Sequence, residues 1–147
     1  MKPGDRAPEF ELPDTEGNPV KLSTLLQSGP VAIFFYPKAS SGGCTVELCS
    51  VRDNAEQFAA AGAQRIGISR DTVDKQRIFS DAQNFDYPLL SDVDGTVSAA
   101  YGVKRSITKM VKRHTVVIGV DGIVKDVIKS EFKFDSHVTG ALEALGH

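Results

Sequence analysis

The sequence predicts an α/β fold: a central mixed sheet flanked by helices, with a β-hairpin at the N-terminus. Three observations carry the prediction. Residues 31–36, VAIFFY, form a continuous apolar run ended by Pro37, the mark of a strand buried on both faces. Strand-like and helix-like segments alternate through the middle of the chain. Near the end, Asp121 and Gly122 separate two β-branched runs, the strongest short-range signal for a hairpin.

The elements follow in order. Residues 11–22, ELPDTEGNPVKL, read as two short extended pieces around a turn. The run 31–36 comes next as a central parallel strand. Val46, Phe58 and the alanines between them fit one helix over residues 44–61, closed by Gly62. QRIGIS, residues 64–69, is a second buried strand. Val73, Arg77, Ile78 and Phe79 stand at helical spacing within residues 72–84. DYPLLSDVDG is a short extended piece and a turn, and TVSAAYGV a short helix. HTVVIGV and IVKDVI make the late hairpin. Residues 136–145 form the last helix, with Ser136 as its N-cap. This order is compatible with a thioredoxin-like fold. The pattern alone also allows a flavodoxin-like sheet.

Bulk properties narrow the function. The 147 residues suit one domain, residues 1–147. The 17 basic and 19 acidic residues nearly cancel, and a net charge of -2 gives no reason to expect nucleic acid or an anionic membrane as partner. No apolar run approaches the ~18 residues of a transmembrane helix. The start, MKPGDRAPEF, has no apolar core of a signal peptide. Two cysteines at this length are not a secreted disulfide scaffold. The expected location is the cytoplasm, and the expected state a monomer or a weak dimer.

Both cysteines, Cys44 and Cys49, fall in FYPKASSGGCTVELCSVRD, residues 35–53. A buried strand feeds Pro37, a loop follows, and Cys44 opens a helix. The helix N-terminus carries partial positive charge and free N–H groups. Amides around Ser41, Gly42 and Gly43 can approach the sulfur, since glycine lets the backbone come close. Such surroundings favour the thiolate, which is the nucleophile. Cys49 lies inside the helix in a mostly apolar context, which fits a buried structural cysteine as well as a reactive one. A metal site needs three or four ligands, and His114, His137 and His147 show no ligand spacing with the pair. No metal or cofactor is expected. Residues five apart on a helix have Cα atoms roughly 8.6 Å apart. A disulfide needs at most about 7 Å. A bond between the two cysteines therefore requires the helix to unwind locally, and Gly42 and Gly43 would help its first turn move.

These residues carry a resemblance. The segment PKASSGGC resembles the peroxiredoxin motif of proline, three residues, Thr or Ser, two residues and Cys, with Pro37, Ser41 and Cys44 at its positions. CTVELCSVRD resembles the sequel found in the peroxiredoxin Q or bacterioferritin-comigratory-protein branch. GDRAPEFELPDTEGNPVKLSTLL, YPLLSDVDGTVSAAYGV and VKRHTVVIGVDGIV are similar to family segments in the same order, so the likeness covers nearly the whole chain. It implies a thioredoxin-like fold and a peroxidase for hydrogen peroxide and organic hydroperoxides. It implies that Cys44 attacks peroxide and becomes a sulfenic acid, with Ser41 and Arg113 positioning and stabilising charge and Pro37 shielding the sulfur. It implies that Cys49 resolves the sulfenic acid to an intramolecular disulfide, and that a thioredoxin-like dithiol protein recycles it. Glu47 and Arg52 match the branch and are assigned structural roles. His114 reads as a packed or exposed histidine, and Lys38 as solvated. Gly42 departs from the branch, which often has proline there, and Val116 and Gly119 depart where Phe and Asp are more usual. Ser41 stands where Thr is commoner, as the motif allows.

Two other readings use the same cysteines. A protein thiol–disulfide oxidoreductase usually carries C-x-x-C, which the C-x-x-x-x-C spacing here argues against. A peroxide sensor or holdase would share the switch without turnover.

Overall fold

The computed structural model describes residues 1–105, 110–131 and 133–146. His147, weighed above as a metal ligand, lies outside them.

Strands β1 (Glu11–Pro13) and β2 (Pro19–Lys21) pair antiparallel, with Leu12 opposite Val20. Their turn is fixed by Asp14, whose Oδ1 accepts from the backbone N–H of Glu16 and of Asn18, both at 2.9 Å. This is an Asx-type turn, built by a short side chain that reaches its own backbone. Helix α1 (Leu22–Leu26) follows; five residues are too few to show a helical period.

The main sheet holds five strands in the order β5-β4-β3-β6-β7. They are β3 (Val31–Phe35), β4 (Gln64–Ser69), β5 (Leu89–Ser91), β6 (His114–Ile118) and β7 (Val124–Lys129). Strand β3 sits at the centre, parallel to β4 and antiparallel to β6. All five of its residues are buried, which is why its sequence is an unbroken apolar run. The antiparallel β6 and β7 distinguish this mixed sheet from the parallel sheet of a flavodoxin-like fold.

Side chains of β3 alternate between two cores. Val31, Ile33 and Phe35 face one side, against Phe10 and Leu12 of the hairpin region, Leu22 of α1, and Val97 and Tyr101 at α5 (Thr96–Ala100). Ala32, Phe34 and Tyr36 face the other, against Cys44, Leu48, Val51, Phe58, Phe79 and Val138. Those residues belong to α2 (Gly42–Asp53), α3 (Ala55–Ala60), α4 (Val73–Gln83) and α6 (Phe134–Leu145).

The helix expected over residues 44–61 is two helices. It starts at Gly42, and Asn54 breaks it with φ -102° and ψ 24°. The Asn54 side chain donates to the Ser50 carbonyl at 2.8 Å, a local bond that competes with the helical ladder. Ser136 is not the N-cap of α6. The helix begins at Phe134, and the Ser136 hydroxyl donates to the Lys133 carbonyl at 2.6 Å instead. Thr72 does cap α4, accepting from Lys75 N–H at 3.3 Å.

Candidate active site

The site forms where β3 ends and α2 begins. After Tyr36 the chain leaves the sheet at the half-buried Pro37 and turns through Ser40, whose φ of 63° is left-handed and unusual for a residue with a side chain. Asp71, just past β4, holds this loop. Its Oδ2 accepts from the Ala39 N–H at 2.8 Å and from the Ser69 hydroxyl at 2.6 Å. Tyr36 is fixed in turn, its hydroxyl bonded to Gln76 and its ring against Phe79.

Cys44 lies in the first turn of α2 and is fully buried, as a free thiol. Nη2 of Arg113 stands 3.4 Å from its Sγ. The guanidinium reaches there from the residue before β6, 69 positions away in sequence. Its other amino group, Nη1, donates to Glu47 Oε1 at 2.8 Å, and its Nε donates to the Glu131 carbonyl at 3.2 Å. Its flat face lies 4.8 Å from the centroid of the Phe134 ring, a cation–π contact. Burial works against the charge on Arg113, but Cys44 and Glu47 outweigh it and hold the group above its ordinary value. Gly43 is required by the same packing. A Cβ there would come within 2.8 Å of the Phe134 ring and 3.3 Å of Arg113 Nη2.

Glu47 is fully buried, although its local sequence reads only as an acid near a helix N-terminus. A signal for its burial was present. Cys44, Glu47, Leu48 and Val51 stand at i, i+3, i+4 and i+7, so the carboxylate lies on the apolar stripe of the helix. Burial pushes its carboxyl up to about 7, against the pull of Arg113. Its Oε2 makes no hydrogen bond and lies 3.6 Å from His137 Nδ1.

The other expected residues are placed as follows. The Ser41 hydroxyl donates to the Lys38 carbonyl at 2.8 Å rather than to the sulfur, while the Ser41 carbonyl takes the Thr45 N–H at 2.9 Å and the Thr45 hydroxyl at 2.7 Å. Lys38 is exposed. His114 is half-buried. Burial, with Lys129 and Lys112 nearby, pushes it down to about 4, so it is neutral at neutral pH. Cys49 is partly exposed in the same unbroken helix as Cys44 and is also a free thiol. Its Sγ donates to Gln83 Oε1 at 3.4 Å, and Arg52 Nη1 donates to the Gln83 carbonyl at 2.5 Å. Gln83 carries no sequence signal of this contact, which depends on how α4 packs on α2. Gly42 has open space around it, with nothing within 4 Å of a Cβ.

This arrangement suits nucleophilic sulfur chemistry. A buried thiol at a helix N-terminus faces a fixed cation that can stabilise a thiolate and any charge that develops beside it. No helix among the described residues is long and apolar enough to cross a membrane.

Residues 3–127 match the AhpC/TSA family. Peroxidoxin BcpB from Mycobacterium tuberculosis has a crystal structure that superposes with a TM-score of 0.95 at 52% identity, over 99% of this chain and 97% of that one. Peroxiredoxin Bcp of Escherichia coli is 38% identical over 143 residues, 93% of this chain and 90% of its own. The bacterioferritin comigratory protein of Xanthomonas campestris, whose structures address its alkyl peroxide reduction activity, gives a TM-score of 0.85 at 29% identity, over 93% of this chain and 90% of that one. The fold is thioredoxin-like, and the chain belongs to the AhpC/TSA family, in the peroxiredoxin branch of the bacterioferritin comigratory proteins and peroxiredoxin Q.

Proposed function

We propose that Cys44 is the thiol through which this thiol-dependent peroxidase reduces hydrogen peroxide and organic hydroperoxides. One observation carries the reading: the Arg113 guanidinium 3.4 Å from a sulfur in the first turn of a helix. The thiolate attacks one peroxide oxygen and the O–O bond breaks. Sulfur gains a hydroxyl as sulfenic acid, and the other oxygen leaves as hydroxide or alkoxide and takes a proton from solvent. Arg113 stabilises the charge on that leaving oxygen. Pro37 shapes and shields the approach, and the Ser41 hydroxyl turns from Lys38 to the peroxide. The alkyl peroxide reduction described for the Xanthomonas relative supports organic hydroperoxides as substrates.

Cys49 then condenses with the sulfenic acid, forming an intramolecular disulfide and releasing water. Because both cysteines stand in one unbroken helix, α2 must unwind for this step. A thioredoxin-like dithiol protein returns the pair to thiols by exchange. Residues 1–147 act as one domain, a monomer or weak dimer, in the cytoplasm, where free thiols persist.

Mass spectrometry after one equivalent of hydrogen peroxide tests the scheme. The wild type is expected to lose two hydrogens, Cys49→Ser to gain one oxygen, and Cys44→Ser to stay unchanged. Peroxide turnover by Cys44→Ser would overturn the reading. A Cys49→Ser protein that recycles with thioredoxin as fast as wild type would remove Cys49 from it.

A further inference from the structure

Behind Arg113 lies a buried ionisable side chain that the steps above leave unused. His137, from α6, is fully buried. Its Nε2 lies 2.7 Å from the Ser130 carbonyl oxygen. A carbonyl only accepts, so Nε2 carries a hydrogen in every charge state. The other nitrogen, Nδ1, stands 2.7 Å from Thr115 Oγ1 and 3.6 Å from Glu47 Oε2. That carboxylate oxygen is the buried one with no hydrogen bond. Its twin accepts from Arg113, whose second amino group faces Cys44.

One proton settles this cluster in two ways. It can sit on Glu47, leaving the carboxyl neutral while the Thr115 hydroxyl donates to Nδ1. It can sit on Nδ1, leaving an imidazolium beside the carboxylate while the same hydroxyl turns and accepts. A hydroxyl serves either role. We propose that His137 and Glu47 share one exchangeable proton, and that His137 is thereby a positioning residue governing how Arg113 divides its charge between Glu47 and Cys44. The proposal rests on Cys44 being the peroxide-reducing thiol.

With the proton present, the pair carries no net charge and Arg113 is free to serve the sulfur. When the proton leaves at higher pH, the carboxylate competes for the guanidinium and repels the thiolate. The charged groups around the pair agree with this assignment. Arg113, ahead of β6, and Glu131, after β7, act on both members, and His114 lies close enough on β6 to feel His137. The Glu131 carboxylate is itself held by Arg105 at 2.7 Å. Burial favours the neutral forms, lifting the Glu47 carboxyl and lowering His137, which puts the shared proton on the carboxyl side near neutrality. The rate of Cys44 oxidation should therefore fall on the alkaline side of its pH profile, with an inflection belonging to the pair rather than to the thiol.

The test combines two measurements on reduced protein between about pH 5 and 9, the range in which such groups titrate. Nitrogen NMR, assigned with His137→Asn, follows the His137 ring, and stopped-flow mixing with hydrogen peroxide follows Cys44 oxidation. The expected result is a ring that keeps its Nε2–H tautomer and shows a transition whose midpoint matches the alkaline inflection in rate. Glu47→Gln, whose amide imitates the neutral carboxyl, should remove both. A His137 signal that stays flat across the range overturns the proposal in the wild type alone, whatever the variants do. So does an alkaline inflection that persists in Glu47→Gln. If Cys44→Ser still consumes peroxide, the underlying assignment of the thiol fails instead, a result the NMR transition does not touch.

Discussion

Arg113 serves two acidic groups with one rigid fork, Nη1 to Glu47 at 2.8 Å and Nη2 to Cys44 at 3.4 Å. A lysine has a single ammonium on a flexible stem and cannot span both at once. Arg113→Lys is therefore expected to slow Cys44 oxidation on the order of 100-fold, the scale of losing one preorganised donor. Stopped-flow rates with hydrogen peroxide would show it, and a rate matching wild type would remove the arginine from the chemistry. At this scale the sequence is legible where neighbours in space are also neighbours in the chain. Cys44, Pro37 and Ser41 form a contiguous motif. The place of Arg113 could be read only through family resemblance, because nothing near residue 113 points to a partner 69 positions away. His137 was still less visible. Its partners lie on β6, after β7 and on α2, and only the assembled fold brings them to one ring.

Helix α2 is held unevenly along its length. Its middle and end are tied down by Tyr87, whose hydroxyl donates to the Leu48 carbonyl at 2.7 Å, and by Arg65, which donates to the Val51 carbonyl at 3.2 Å. Its first residue, Gly42, touches nothing through a Cβ direction. Ser41 before it is extended, at φ -75° and ψ 156°, the conformation that a following proline requires. Proline is also the residue best suited to the first position of a helix. Gly42→Pro should thus stabilise the reduced protein by about 0.4–1 kcal/mol, through lost freedom of the unfolded chain. It should also slow disulfide formation after oxidation, because the first turn resists opening. Thermal melting and quenched-flow mass spectrometry measure the two effects, and lowered stability would contradict the first. The helix was legible in outline, but Val46, one of the residues that suggested it, is exposed while Cys44, Glu47, Leu48 and Val51 are buried, and its break at Asn54 was not legible. Alanines on the far side continue the helical pattern, so only the Asn54 contact with Ser50 reveals the interruption.

Across the whole molecule, the central strand and the late hairpin were plain in the sequence because each follows from burial or turn chemistry alone. The pairing of β3 with β6 was not, since antiparallel and parallel neighbours bury the same apolar run. The pairing of β6 with β7 places His114 opposite Lys129 across the strands and makes acid stability depend on it. The unfolded chain takes up a proton on His114 below about 6.5, while burial and the two lysines delay uptake in the folded chain to about 4. The stability from keeping this ring neutral is intact above 6.5 and is lost as pH falls towards 4. His114→Gln should narrow the drop in Tm between about pH 7 and pH 5, by an amount reduced by solvent because the ring is only half-buried. An unchanged drop would assign the acid sensitivity elsewhere. The sheet also acts as a bulkhead. Cys44 and Leu48 pack on one of its faces, while Phe10, Tyr101 and Val116 pack on the other. An opening of α2 floods only the first compartment. Methyl resonances of Leu48 and Val117 should shift on oxidation while those of Val116 and Ile118 stay put, the pattern of a rearrangement confined to one side of the sheet.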